Sequence, residues 1–240
     1  MSVKDTIQQQ IESFDNEQIF TIEELKFPKK NTFSVANALS TLQKEGYINR
    51  LARRFYYKPR KSSVTGNPLP INGGKLVNYF ATSSNGYLTG TDVYRQMGLT
   101  TQMSFVYTIA TTQKRKKLTA ENHQMQFVKA YCKPTENNIH LLRILDAIQD
   151  LKNIPDCPID GAVELLLTQI SKLSLSEISE FVKCAKHYPP RVRAVVGALL
   201  LQLKYEKEAT ILQKTINPLS KFDVGISEKV LHTKQQFNIP

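Results

Sequence analysis

Apolar positions at the start of the chain recur at helical spacing. Val3, Ile7, Ile11 and Phe14 stand close to i, i+4, which predicts a helix over residues 2–14. Ile19 and Phe20 suit a short strand. Thr21 with Glu24 three residues on has the form of a capping box, so a second helix is expected from Thr21 to about Phe27, where Pro28 disfavours continuation. "PKKN" then reads as a turn. A third helix is predicted from Thr32 to Gly46, with Val35, Leu39 and Leu42 as its buried stripe and Ser34, Asn37, Thr41 and Lys44 on the other side. Two aromatic and basic runs follow, Tyr47–Leu51 and Phe55–Lys58. Joined at Ala52–Arg54, they fit a β-hairpin whose turn lacks the usual Gly or Asn. Helix, strand, helix, turn, helix, hairpin is the order of a winged helix-turn-helix, in which the last helix enters the major groove.

The pattern then changes. "KSSVTGNPLPINGGK", residues 61–75, is poor in apolar residues and reads as a linker. It is not a phosphate loop, because Leu69 stands where the first Gly of G-x-x-x-x-G-K-[ST] is required and Leu76 follows Gly74-Lys75. Short helices are predicted at Leu76–Ala81 and Thr91–Met97, the second closed by Gly98. Strands are predicted at Ser104–Thr112 and His123–Tyr131. Four helices follow: Asn137–Leu151, Ala162–Leu173, Ser174–His187 with a second capping box from Ser174 to Glu177, and one opened by Pro189-Pro190 that runs through "RVRAVVGALLLQL". This last helix is apolar nearly all round and is expected to be central. The predicted fold class is α+β, mainly α. Residues 1–61 would form the winged helix, 62–75 a linker, and 76–240 a larger domain with a small β-sheet and a helical bundle.

Charge sharpens this picture. The chain has a formal net charge of +11, which favours anionic partners. The excess is concentrated: residues 1–25 hold one base against six acids, whereas residues 26–61 hold ten bases against one acid. Lys29, Lys30, Arg50, Arg53 and Arg54 in the turn and wing are therefore expected to contact phosphates. Ser34, Asn37, Thr41 and Lys44 are expected to meet base edges. The plainer alternative is a solvated hairpin beside an ordinary exposed helix face. The tyrosines of the wing fit packing; the crowded arginines need another reason. "KRKK" (Lys114, Arg115, Lys116, Lys117) is a solvated turn or a further anionic-partner contact. Arg191 and Arg193 lie in the first turn of a helix, where positive charge opposes the macrodipole, which points to an anionic partner for them too.

Candidate enzyme chemistry is sparse. None of the four histidines sits in H-E-x-x-H, and Cys184 with His187 lacks a matching second pair for zinc. Asp156 and Asp160 fit a loop and a helix start. No catalytic residue, metal or cofactor is expected. Three cysteines without paired spacing argue against a disulfide framework. The first residues lack an apolar signal core and the longest apolar run is too short to span a bilayer, so a cytoplasmic protein with no membrane partner is expected.

The stretches "IFTIEEL" and "VANALSTLQKEGYINRLARRFYYKP" resemble the winged-helix start of the AbiEi-like antitoxins of type IV toxin–antitoxin, or abortive-infection, systems. "GLTTQMSFVYTIATT", "YPPRVRAVVGALL" and "NPLSKFDVGIS" resemble the remainder of one branch of that family. Relatives tend to have glycine where this wing has Arg54. The resemblance implies an antitoxin that also represses its own promoter by binding double-stranded DNA. It implies a C-terminal domain that counters a nucleotidyltransferase-like toxin encoded nearby, without need of a stable complex. A homodimer on a palindromic operator stays open, although no heptad seam marks one. The competing readings are a winged-helix regulator or protein-interaction scaffold without antitoxin role, and an RNA-related or metal-dependent enzyme.

Overall fold

The structure, a computed structural model, describes residues 2–25, 27 and 32–240, with the side chain of Thr32 left out. The fold is α+β and mainly α. The chain divides into two compact units, Met1–Ser83 with Lys117–Met125, and Ser84–Lys116 with Gln126–Pro240.

In the first unit, α1 (Val3–Glu12) starts on a capping box. The Ser2 hydroxyl accepts from the Asp5 N–H, and the Asp5 carboxylate accepts from the Ser2 N–H. Strand β1 (Ile19–Thr21) follows. The predicted second helix is a single 3-10 turn in its described part, Glu23–Leu25. Its capping half-box is present, the Thr21 N–H donating to Glu24 Oε2 at 2.7 Å. Helix α2 (Thr32–Lys44) closes on Gly46, whose φ is 72°. Tyr47 N–H donates to the Leu42 carbonyl at 2.9 Å and Gly46 N–H to the Gln43 carbonyl at 3.1 Å. This pair of reversed bonds ends a helix on a left-handed residue, which is why glycine stands there. Strands β2 (Asn49–Ala52) and β3 (Phe55–Tyr57) make the hairpin, with β3 central in a sheet of order β1-β3-β2. Ile7, Ile11, Phe20, Leu25, Val35, Leu39, Leu42 and Ile48 fill the core beneath.

The first unit continues through the stretch expected to be a linker. Helix α3 (Gly73–Ser83) begins inside it, its first N–H groups at Gly74 and Lys75 donating to Asn72 Oδ1. The side chain of Glu17 is 8% exposed; it accepts from the Asn72 N–H at 2.9 Å and pairs with Lys75 Nζ at 3.0 Å. Burial opposes the charge on Glu17, yet these partners hold its carboxyl below the usual range. Phe55 packs edge-on against Phe80 of α3 at 5.1 Å. The fully buried Tyr57 donates from its hydroxyl to Glu121 Oε1 at 2.7 Å and accepts from Asn49 Nδ2 at 3.0 Å. Burial, with Glu121 adding to it, pushes that phenol up to about 12. The stretch 61–75 hides this role because it buries a lone Ile71 and its contacts to Glu17 are polar, which apolar periodicity cannot show.

In the second unit, β4 (Gly86–Thr89) precedes α4 (Thr91–Gln96) and pairs antiparallel with β5 (Val106–Thr111). Residues 126–129 of β7 (His123–Lys129) extend that sheet. The hairpin of β6 (Leu118–Ala120) with the start of β7 belongs to the first unit. Helices α5 (Ile139–Gln149), α6 (Ile159–Ser171), α7 (Leu175–Ala185), α8 (Pro190–Gln202) and α9 (Glu206–Gln213) complete the second unit. Helix α8 is central as its composition predicts, with Ala194 through Leu200 all buried. Asp146 of α5 is buried and receives the hydroxyls of Tyr87 (2.8 Å), Thr89 (2.8 Å) and Tyr188 (2.7 Å). Burial raises its carboxyl above the ordinary range, against the lowering effect of those donors. Strands β4 and β6 and helix α9 are not foreseen in the sequence pattern. Among the described residues, no helix is long and apolar enough to cross a membrane.

Candidate nucleic-acid interface

Helix α2 separates its faces cleanly. Val35, Ala38, Leu39 and Leu42 are buried, while Ser34, Asn37, Thr41 and Lys44 are exposed. The predicted polar face is therefore exposed to solvent from Ser34 to Lys44. The Thr41 hydroxyl donates to the Asn37 carbonyl at 3.1 Å, which leaves its oxygen lone pairs outward as acceptors. Phe33 lies near the start of the same face and is 79% exposed. Spacing could have found it, because Phe33, Asn37 and Thr41 are four apart, out of step with the buried stripe. Its apolar type hid it. An exposed aromatic among polar side chains, in the first turn of such a helix, is suited to the methyl group of thymine.

The wing sorts its residues as well. Tyr56 and Tyr57 are buried, whereas Arg50, Arg53 and Arg54 are exposed. Asn49 pairs with Tyr57, Arg50 with Tyr56 and Ala52 with Phe55, so one extra residue, Leu51, bulges from β2 ahead of the turn. Arg54 has a φ of 75°, a left-handed conformation in which glycine is at ease and arginine is not. Its guanidinium is paired with Glu23 of the 3-10 turn. Among the described residues, the Arg50 side chain donates only to the Ala52 carbonyl of its own hairpin, at 3.4 Å.

Other cations in this unit have structural work. Lys58 donates to the carbonyls of Glu12 (3.0 Å) and Phe14 (2.6 Å), which closes the C-terminus of α1. Lys4 pairs with Glu45 at 2.6 Å. The expected phosphate contacts Lys29 and Lys30 lie outside the described residues.

The remaining predicted contacts are in other surroundings. Lys114, Lys116 and Lys117 are exposed, and Arg115 lies 5.8 Å over the ring of Phe127. Arg191 and Arg193 are engaged within the second unit. Arg191 Nη2 donates to the Gln149 carbonyl at the end of α5 at 2.7 Å, and Arg193 Nη1 to the Thr215 carbonyl after α9 at 2.9 Å. Each satisfies an orphan carbonyl near a helix C-terminus, where positive charge is favourable. That explains two arginines in an unfavourable first turn without an external anion.

The profile of a family described as "Family of unknown function (DUF6088)" matches residues 6–177, and the chain belongs to that family. No curated protein matches it. Among solved structures, the chain is similar to the RV2827C protein from Mycobacterium tuberculosis, with 11% identity over 90% of this chain and 81% of that one and a TM-score of 0.42.

Proposed function

We propose that this DUF6088 protein is a cytoplasmic, double-stranded DNA-binding repressor of its own promoter, and that it acts as the antitoxin of a type IV toxin–antitoxin system. One observation carries the DNA-binding half. A helix exposing Phe33, Ser34, Asn37, Thr41 and Lys44 is followed directly by a hairpin exposing Arg50 and Arg53, all within one compact unit. In this reading α2 lies in the major groove, and the wing together with Lys29 and Lys30 contacts phosphates. Asn37 supplies an amide for adenine and Lys44 a donor for guanine or phosphate. The antitoxin half rests on the resemblance to AbiEi-like antitoxins in the quoted stretches of both halves of the chain.

A gel shift on the region upstream of its own gene tests the first half. Retardation that survives competition by unrelated duplex is expected, and none at low salt would overturn it. Co-expression with the neighbouring nucleotidyltransferase-like toxin tests the second half, through rescue of growth. Met103 and Phe105, 76% and 91% exposed in the second unit, favour a second reading in which that unit docks a protein. Growth rescue would then require a stable complex recoverable with the toxin.

A further inference from the structure

The second unit brings together two cysteines that are 52 positions apart, Cys132 after β7 and Cys184 near the end of α7. Their sulfurs are 3.1 Å apart, closer than the usual contact of two unbonded sulfurs, and both thiols are free. Cys132 is half-buried and in reach of solvent, whereas Cys184 is buried. Two polar side chains stand near the Cys184 sulfur. Its S–H donates to Glu180 Oε1 at 4.0 Å, and Nδ2 of the buried Asn138 donates to its sulfur at 4.0 Å. Burial, then the hydrogen bond with Cys132, push the Cys184 thiol up, so Cys184 is not the thiol that reacts first. The third cysteine, Cys157, has no such neighbour; its S–H donates to the Pro158 carbonyl.

We propose that Cys132 and Cys184 form a reversible disulfide on exposure to a hydroperoxide. The thiolate of Cys132 attacks the peroxide O–O bond, which breaks to release hydroxide, or water once protonated, and leaves Cys132 as the sulfenic acid. Cys184 loses its proton to Glu180 and attacks the Cys132 sulfur. The S–S bond forms, the S–O bond breaks, and the second water leaves. Two thiols are oxidised and one hydroperoxide is reduced to two waters, or to a water and an alcohol. A dithiol such as dithiothreitol reverses the reaction. The bond ties the segment leaving β7 to α7 and closes a loop that contains α5 and α6, constraining the unfolded chain.

The test uses the purified full-length protein, folded, treated with hydrogen peroxide and then alkylated. Before alkylation the intact mass should fall by two hydrogens, after it only Cys157 should carry the label, and digestion should yield a reducible crosslink between the Cys132 and Cys184 peptides. Cys157→Ser should leave the crosslink in place, and Cys132→Ser or Cys184→Ser should abolish it. The oxidised Cys157→Ser protein should melt roughly 5–15 °C above its reduced form, as a clip across a loop of this length implies. Glu180→Gln should slow crosslinking by roughly tenfold or more while leaving its end point unchanged. Sulfinic or sulfonic acid at Cys132 without a crosslink, a crosslink that involves Cys157, or one that forms only in urea would each overturn the proposal.

Discussion

Arg54 holds a left-handed backbone conformation (φ 75°) at the tip of the wing. For a residue with a Cβ this costs about 1–2 kcal/mol, whereas the exposed ion pair with Glu23 returns less than about 1 kcal/mol. Arg54→Gly should therefore match or exceed the wild type in urea midpoint, and Arg54→Val should fall below both by about 1–2 kcal/mol. A glycine variant weaker than the valine variant would contradict the strain argument. Glu17 offers a test by pH. Its folded pKa is lowered, so its contribution is present above the ordinary glutamate range near pH 4.5 and is lost as pH falls through the lower folded value. Glu17→Gln should cost about 1–2 kcal/mol at pH 7. The gap from wild type should narrow as pH falls below the ordinary glutamate range and through the lower folded value, as followed by urea unfolding across pH. Both residues show where sequence reading stops. The Arg54 partner lies 31 positions earlier at Glu23, and Glu17 finds Asn72 and Lys75 only through the fold. What was legible at this scale was polarity at fixed spacing, which placed Ser34, Asn37, Thr41 and Lys44 on the exposed face of α2.

Elements defined by local signals were the readable ones. The capping box of α7, where Ser174 and Glu177 exchange bonds, and the prolines opening α8 are visible in sequence and present in the structure. Strands β4 and β6, four and three residues long, escaped because their stabilisation comes from β5 and β7 rather than from their own composition. The expected second helix, a single 3-10 turn in its described part, is the converse case, where a cap signal is present without the length to follow it. Helix α8 carries a constraint that periodicity cannot show. A Cβ on Gly197 would run into the ring of Phe237, which lies in the 3-10 turn Lys234–Phe237. Gly197→Ala should destabilise the protein by about 1–3 kcal/mol despite the better helix propensity of alanine, and Phe237→Leu should recover part of that loss. A neutral Gly197→Ala in thermal unfolding would show that the tail does not pack on α8 in solution.

At the scale of the whole molecule, the first unit is discontinuous. Its sheet depends on residues far along the chain from 1–61: the hydroxyl of Tyr57 meets Glu121, and Phe55 packs on Phe80. A fragment of residues 1–61 would leave Tyr57 without that carboxylate and Phe55 without that ring. It should lose cooperative unfolding by circular dichroism, and a sharp transition in that fragment would contradict the account. The succession of α1, β1, α2 and the hairpin, with its basic block, was legible because it is local. The return of 117–125 to this unit was not, because only long-range pairing specifies it. In the proposed complex, Arg50 and Arg53 of the hairpin neutralise DNA phosphates beside α2. The most direct measurement of this is a titration of the upstream duplex at several salt concentrations, comparing wild type with Arg50→Ala/Arg53→Ala. Each lost phosphate contact removes about 0.9 from the slope of log K against log salt. The account predicts a slope shallower by roughly 2, with affinity reduced on specific and unrelated duplex alike. An unchanged slope, or no binding by the wild type at low salt, would contradict it.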